Sequence, residues 1–221
     1  MQPGGLTVLI SGAGIAGATL AALLGRAGHQ VTVVERDQGV RSSGNPVDVR
    51  EGAYDVAQRL GVLTRLHEAG TRVRQLIFVD AAGQRVASIR TRQSEDREVE
   101  VPRADLSAIL IEAGRQQAEF HFDEMITGLH ADESGVDVIF ERAAARRFDL
   151  VVGADGIYSA VRRLVFGPHA DFAEHLGMYV ATARLGIPME SDDTVIMHNE
   201  PGTAVALHPG TGLSGAAFMF R

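Results

Sequence analysis

The sequence predicts an α/β fold in which a parallel βαβ domain is interleaved with a mainly antiparallel β-sheet domain. Three observations predict it. A strand, a glycine turn, a helix and a second strand follow one another at the N-terminus; a later apolar strand, ending at Val152, runs into the turn Gly153-Ala154-Asp155-Gly156; and past about residue 174 come several short β-like runs. With 221 residues, 45% apolar and 22% charged, the chain can bury a core of one or two domains.

Leu6 to Ile10 is the first apolar run, and Ile15, Leu20, Leu23 and Leu24 then keep a helical period up to Gly28. Val31 to Val34 reads as a second buried strand, so the two strands must be parallel. From Glu51 to Gly70 the pattern is helical again, with Val56, Leu60, Leu63 and Leu66 on one side and an interruption at Gly61. Leu76, Phe78 and Val79, the turn Asp80-Ala81-Ala82-Gly83, then Val86 and Ile89 form a hairpin signature. Pro102 marks a helix entrance, followed by the buried face of Leu106, Ile109, Leu110 and Ala113. Strands are expected at Met125 to Leu129, Val136 to Phe140 and Phe148 to Val152. Further strands are expected at Met178 to Ile187, Thr194 to His198, Thr203 to Leu207 and Ala216 to Phe220.

The glycine turn is Gly12-Ala13-Gly14-Ile15-Ala16-Gly17, a GxGxxG between a strand and a helix. In such a turn the first glycine permits the tight bend, the second lets a pyrophosphate approach the backbone, and the third lets helix and sheet pack closely. The free N–H groups and positive dipole end of the helix then face the diphosphate. Glu35 closes the second strand 18 residues after Gly17, where a carboxylate can accept hydrogen bonds from a ribose. An exposed glutamate after a purely structural turn is the alternative. NAD and FAD enzymes share this motif, so it does not choose between them.

The second motif, Gly153-Ala154-Asp155-Gly156-Ile157-Tyr158-Ser159-Ala160-Val161-Arg162, resembles the second fingerprint of para-hydroxybenzoate-hydroxylase-like flavoprotein monooxygenases. The resemblance implies that Asp155 and Gly156 lie near the diphosphate of FAD; the alternative is that Asp155 caps the next helical turn. Val101-Pro102-Arg103-Ala104-Asp105-Leu106 resembles the family's helix start whose arginine reaches FAD. A cation beside a helix N-terminus is unfavourable by itself, which argues for a bound anion at Arg103, against the alternative of a surface arginine. Arg41-Ser42-Ser43-Gly44-Asn45-Pro46-Val47-Asp48 resembles the RxxGxxxD segment of tetracycline-inactivating members, with Arg41 near the flavin; the alternative is a surface loop. Arg36 and Met125 are assigned to the cofactor site by the same resemblance.

The resemblance implies a Rossmann-like FAD-binding domain over 1–72 and 101–175 and a partial substrate domain over 73–100 and 176–221. It implies that NADPH or NADH reduces FAD, and that the reduced flavin takes O2 to a C4a-hydroperoxide. That species hydroxylates a small aromatic or polyketide-like molecule. The flavin carries the chemistry, so no catalytic side chain is expected. Thr182, Arg184, His198 and His208 are candidate substrate contacts, each also readable as an ordinary polar group. The family's later Gly-Asp motif is not found. The chain is therefore expected to be C-terminally incomplete: either a fragment, or a chain whose fold a C-terminal polypeptide completes, the remaining alternative being a minimal protein that keeps FAD without monooxygenation. A non-catalytic FAD-binding module and an NAD-dependent dehydrogenase remain the alternatives.

Composition narrows the partners. A net charge of −7, from 28 acidic and 21 basic residues, offers no basic face to nucleic acid. There is no cysteine, and His67-Glu68 lacks the second histidine of a zinc-binding helix, so no metal site is expected. Neither a signal peptide nor an apolar run of about 18 residues is legible. A soluble, cytoplasmic protein without membrane partners is expected.

Overall fold

A computed structural model describes residues 4–39, 46–90, 97–209 and 214–221. The elements begin with β1 (Thr7–Ser11), α1 (Ile15–Arg26), β2 (Gln30–Glu35), β3 (Val47–Arg50), α2 (Gly52–Leu60) and α3 (Leu63–Ala69). Next come β4 (Gln75–Val79), β5 (Arg85–Arg90), β6 (Glu98–Val101), α4 (Arg103–Arg115), β7 (Glu119–Phe122), β8 (Ile126–Asp132) and β9 (Gly135–Phe140). The chain continues through β10 (Arg146–Phe148), β11 (Leu150–Gly153), α5 (Ala160–Val165), β12 (Tyr179–Arg184), β13 (Thr194–Glu200), β14 (Thr203–His208) and β15 (Gly215–Phe220).

By contacts the described residues divide into two units: those up to 39 with 58–62 and 104–174, and those of 46–57, 63–103 and 175–221. This division differs from 1–72 and 101–175 against 73–100 and 176–221, because β3 pairs antiparallel with β6 and the N–H of Thr71 donates to the Glu100 carbonyl at 2.7 Å. Those bonds draw 46–57, 63–72 and 101–103 to the second unit.

In the first unit a parallel sheet runs in the order β11-β1-β2-β7. Val8, Leu9 and Ile10 of central β1 are all buried, as a strand covered on both faces requires. Leu9 packs with Val34, Ile126, Val138, Phe140, Phe148 and Val161, which joins the small sheet β10-β9-β8 to one face of the parallel sheet. On the other face α1 lies close, with Gly17 against Ile10, while Gly114 of α4 meets Phe120 of β7. Each fully buried side chain in this sandwich contributes about 1.5–3 kcal/mol relative to exposure.

In the second unit six strands follow the order β12-β15-β14-β13-β4-β5, with only β13 and β4 parallel. Val195, Ala206 and Ala217 form its buried cluster, joined by Val73, Leu76 and Met197. The β4–β5 turn is held by Asp80, whose Oδ1 accepts from the amides of Ala82 (2.9 Å) and Gln84 (2.8 Å).

Several expected elements are corrected. The run Phe148 to Val152 is two strands, parted at Asp149, whose Oδ2 accepts from both the amide and the hydroxyl of Thr7 at 2.7 Å. The helical stretch Glu51 to Gly70 is two helices, separated where Gly61 takes φ +73°. Met178 to Ile187 contracts to Tyr179–Arg184, and strands β3, β6 and β7 were not expected. Among the described residues no helix is long and apolar enough to cross a membrane.

Candidate cofactor site

The three parallel strands β1, β2 and β11 end side by side at Ser11, Glu35 and Gly153, and a groove of about 280 Å³ opens there. Ligands of open α/β sheets bind at this carboxyl edge. Its lining includes Gly12, Gly14, Glu35, Arg36, Met125, Asp155 and Gly156, so residues from the two separate glycine motifs converge. The convergence is a backbone contact. Gly12 holds φ +104°, and a Cβ there would lie 2.5 Å from the Ala154 carbonyl oxygen and 2.8 Å from Asp155 Cα. The Ala154 amide also donates to the Ser11 carbonyl at 2.8 Å.

Gly14 behaves differently. It is the N-cap of α1, supplies no side-chain cap, and has nothing within 4 Å of where its Cβ would be. No acidic residue occupies the first turn formed by Ile15, Ala16 and Gly17. A bare, uncapped helix start beside an open groove fits a diphosphate, whose oxygens can take the terminal N–H groups.

Of the four carboxylates that line the groove, Glu35, Asp37, Glu124 and Asp155, three accept from several amides or hydroxyls of the protein itself. Glu35 Oε2 accepts from the Ala13 amide (2.9 Å) and Oε1 from the Asp37 amide (3.0 Å). Asp155 Oδ2 accepts from the amides of Ala160 (2.7 Å) and Val161 (3.1 Å) and from Ser11 Oγ (3.3 Å), while Oδ1 accepts from Ser159 Oγ (2.5 Å). Asp155 therefore does cap α5, and it lines the groove as well. Their negative charge is spread over these donors, which lowers the repulsion an anionic ligand would meet.

The third carboxylate, Glu124, was missed by sequence reasoning. It is 6% exposed, its Oε1 accepts from the amides of Met125, Glu141 and Arg142, and its Oε2 accepts from Ala143 at 2.8 Å. Burial pushes this carboxyl up, but the four amides together hold it below its ordinary 4.5. Because the folded value is the lower one, ionised Glu124 contributes stability that is fully present above 4.5 and is lost as pH falls through the folded value. Glu124→Gln turns an amide donor toward one of these N–H groups and should cost about 1–3 kcal/mol at neutral pH. Thermal melts should show that difference shrinking on acidification; identical melting at neutral pH would remove Glu124 from this role.

Arg36 is exposed at the groove, and Met125 is half-buried in its wall. Arg103 is the exposed first residue of α4 and belongs to the second unit by contacts. Arg41 lies outside the described residues. Strand register sorts the four candidate substrate contacts. Thr182 stands in the row Ala217-Ala206-Met197, and Arg184 in the row Gly215-His208, two residues along and so on the same face. His198 stands in the row Val205-Phe218-Ala181, on the opposite face, with Nδ1 2.9 Å from the Val79 carbonyl. The four candidates therefore fall on two faces of the sheet, His198 on one and the other three on the opposite one. His208 is half-buried, and that burial pushes its imidazole pKa down while Glu100 opposes the shift.

The family described as the FAD binding domain matches residues 5–218. The chain belongs to the FAD-binding domain family. A protein of Mycobacterium tuberculosis, named only as uncharacterized, is 44% identical over 182 residues, covering 79% of this chain and 48% of that protein. A flavin-dependent monooxygenase of Legionella longbeachae is 29% identical over 221 residues, covering 98% of this chain and 57% of its own length. The crystal structure of tetracycline destructase Tet(55) superposes with a TM-score of 0.85 at 31% identity, covering all of this chain and 57% of the other. Tet(51) gives 0.80 at 26% identity, covering 98% and 57%. The chain thus spans about half the length of the relatives it matches. With family membership, FAD is the cofactor of the chain and the dehydrogenase alternative is set aside.

Proposed function

We propose that this chain is the FAD-binding part of a flavin-dependent monooxygenase that uses NADPH or NADH to hydroxylate a small aromatic or polyketide-like molecule. The observation that carries the reading is the meeting of two sequence-distant glycine motifs at one groove through the Gly12–Ala154 contact. Relatives named flavin-dependent monooxygenases support the reaction class.

When bound, FAD supplies the redox chemistry, carrying electrons from the nicotinamide to O2. The chain's own residues bind and orient it. The N-terminus of α1, with Gly14 bare, receives the diphosphate, and Glu35 keeps lone pairs for ribose hydroxyls beyond its two amide bonds. Arg36 and Met125 flank the adenosine end, and Asp155 and Gly156 hold the second motif at the diphosphate. Arg41 and Arg103 serve the cofactor as permanent cations. Thr182, Arg184 and His208, which share a sheet face, are the substrate contacts.

Flavin bleaching by NADPH or NADH and formation of a hydroxylated product, measured with added FAD, test the reading. Bound FAD that neither nicotinamide reduces would sink the monooxygenase and leave a non-catalytic FAD-binding module in its place. Arg103→Lys keeps the charge but loses the planar fork, and should weaken flavin binding or slow its reduction by about tenfold or less. Wild-type titration and reduction curves for this variant would exclude Arg103 from the cofactor.

A further inference from the structure

The chain leaves the parallel sheet at the end of β7 and enters the small sheet at β8 through three residues, Asp123, Glu124 and Met125. Asp123 takes φ +60°, a left-handed conformation uncommon outside glycine. Such a conformation persists where the surroundings over-determine it, and here hydrogen bonds hold the bend from both sides. Toward β2, the Asp123 amide donates to the Asp37 carbonyl at 3.1 Å and the Glu124 amide to the Glu35 carbonyl at 3.0 Å. Toward the turn after β9, the Glu141 amide donates to the Met125 carbonyl at 2.9 Å, and the Arg142 guanidinium pairs with the Asp123 carboxylate at 2.8 Å.

The Glu124 carboxylate closes this frame, since its four donors come from Met125 and from residues 141–143. Burying an ionised carboxylate adds little net stability, because its hydrogen bonds mainly repay the loss of water. What four amides converging on two oxygens do supply is a single geometry for the segments that carry them. One of those segments is Met125, which stands in the groove wall, whereas residues 141–143 do not line the groove. A methionine side chain is flexible, so the surface it offers a ligand depends on where its backbone is held.

We infer that Glu124 is a positioning residue for the cofactor: it fixes Met125 against the adenosine end of FAD and so lowers the ordering cost of binding. The inference rests on the proposed placing of FAD in this groove and adds a residue that acts through its neighbour. Residues 141–143 become part of the cofactor's support without lying in the groove.

A double-mutant cycle on FAD affinity tests it, with each variant titrated at a temperature where circular dichroism shows it folded. Glu124→Gln should weaken FAD binding by about five- to tenfold in the wild-type background. In a Met125→Ala background, where no long side chain is left to position, the same change should cost less than about twofold. In a Gly14→Ala background, which perturbs the diphosphate end separately, the full five- to tenfold loss should persist, to within about twofold. Equal losses in all three backgrounds would mean that Glu124 acts only through the general stability of the fold, and would overturn the inference. Wild-type affinity in Glu124→Gln would overturn it as well.

Should Glu124→Gln fail to fold, amide exchange in the wild-type chain decides. FAD binding should slow exchange at the Glu141, Arg142 and Ala143 amides by about threefold or more, because ordering Met125 also orders the donors that share its carboxylate. Unchanged exchange there with FAD bound overturns the positioning role while leaving the groove assignment intact. A wild-type chain that binds no FAD brings down the groove assignment, and this inference with it.

Discussion

Gly12→Ala should sharply destabilise the first unit, whereas Gly14→Ala, two residues away, should leave it folded and cost FAD binding instead. At Gly12 an L-residue meets φ +104°, worth about 1–2 kcal/mol by itself. Its Cβ would also press on the backbone of Ala154 and Asp155, which cannot swing aside as a side chain could, adding about 1–3 kcal/mol. Since the obstructing atoms belong to the second motif, relief would part the two halves of the groove. The melting temperature of Gly12→Ala should fall by roughly 4 °C or more, at about 2–4 °C per kcal/mol for a chain of this size. Gly14 meets no atom within 4 Å, so alanine there costs only the N-cap preference, about 1 kcal/mol or less. In the proposed binding mode its methyl group projects toward the diphosphate, so FAD affinity should fall by about tenfold or more, or 1.4 kcal/mol. Melts and FAD titrations of both variants separate the two effects. A Gly12→Ala protein as stable as wild type, or a Gly14→Ala protein binding FAD normally, would refute the corresponding role.

Glu35→Ala should raise the dissociation constant for FAD by roughly 10- to 150-fold, from about 1.5–3 kcal/mol of lost charged hydrogen bonds. Two contributions combine. In the proposed role the ribose loses its acceptor, and the amides of Ala13 and Asp37 lose the oxygens that hold the glycine turn against the end of β2. Glu35→Gln separates them in part. It keeps the side-chain length and one acceptor oxygen, but its NH2 faces one of the two amide donors. Its affinity should fall between wild type and alanine. FAD titration with circular dichroism as a folding control is the measurement. A folded Glu35→Ala protein with wild-type affinity would show that the carboxylate braces the turn and touches no ribose.

Much of the groove's lining was legible because its motifs are local. A GxGxxG, an acidic residue at the end of the next strand and a Gly-Ala-Asp-Gly turn are read from adjacent residues, and backbone geometry gives them one useful conformation. Glu124 was not legible. Nothing in Phe122-Asp123-Glu124-Met125 distinguishes it from a surface glutamate, since three of its four amide donors lie 17 to 19 residues onward in the chain. Strands β3, β6 and β7, of four residues each, were missed for a related reason. Such short segments carry too few alternating side chains to signal a strand, and they become strands through the partner that supplies their hydrogen bonds.

The sequence by itself determined the Rossmann-like start, the FAD fingerprints and the mainly antiparallel character of the later strands, because periodicity and glycine placement act within a few residues. Only the tertiary structure decided that Gly12 and Ala154 touch, that Asp155 caps α5 while lining the groove, and that β3–β6 pairing carries residues 46–57 and 63–72 to the second unit. It also decided that His198 faces away from Thr182, Arg184 and His208. In a sheet, one residue of register exchanges the two faces, and register is set by pairing between distant strands, which no single segment encodes.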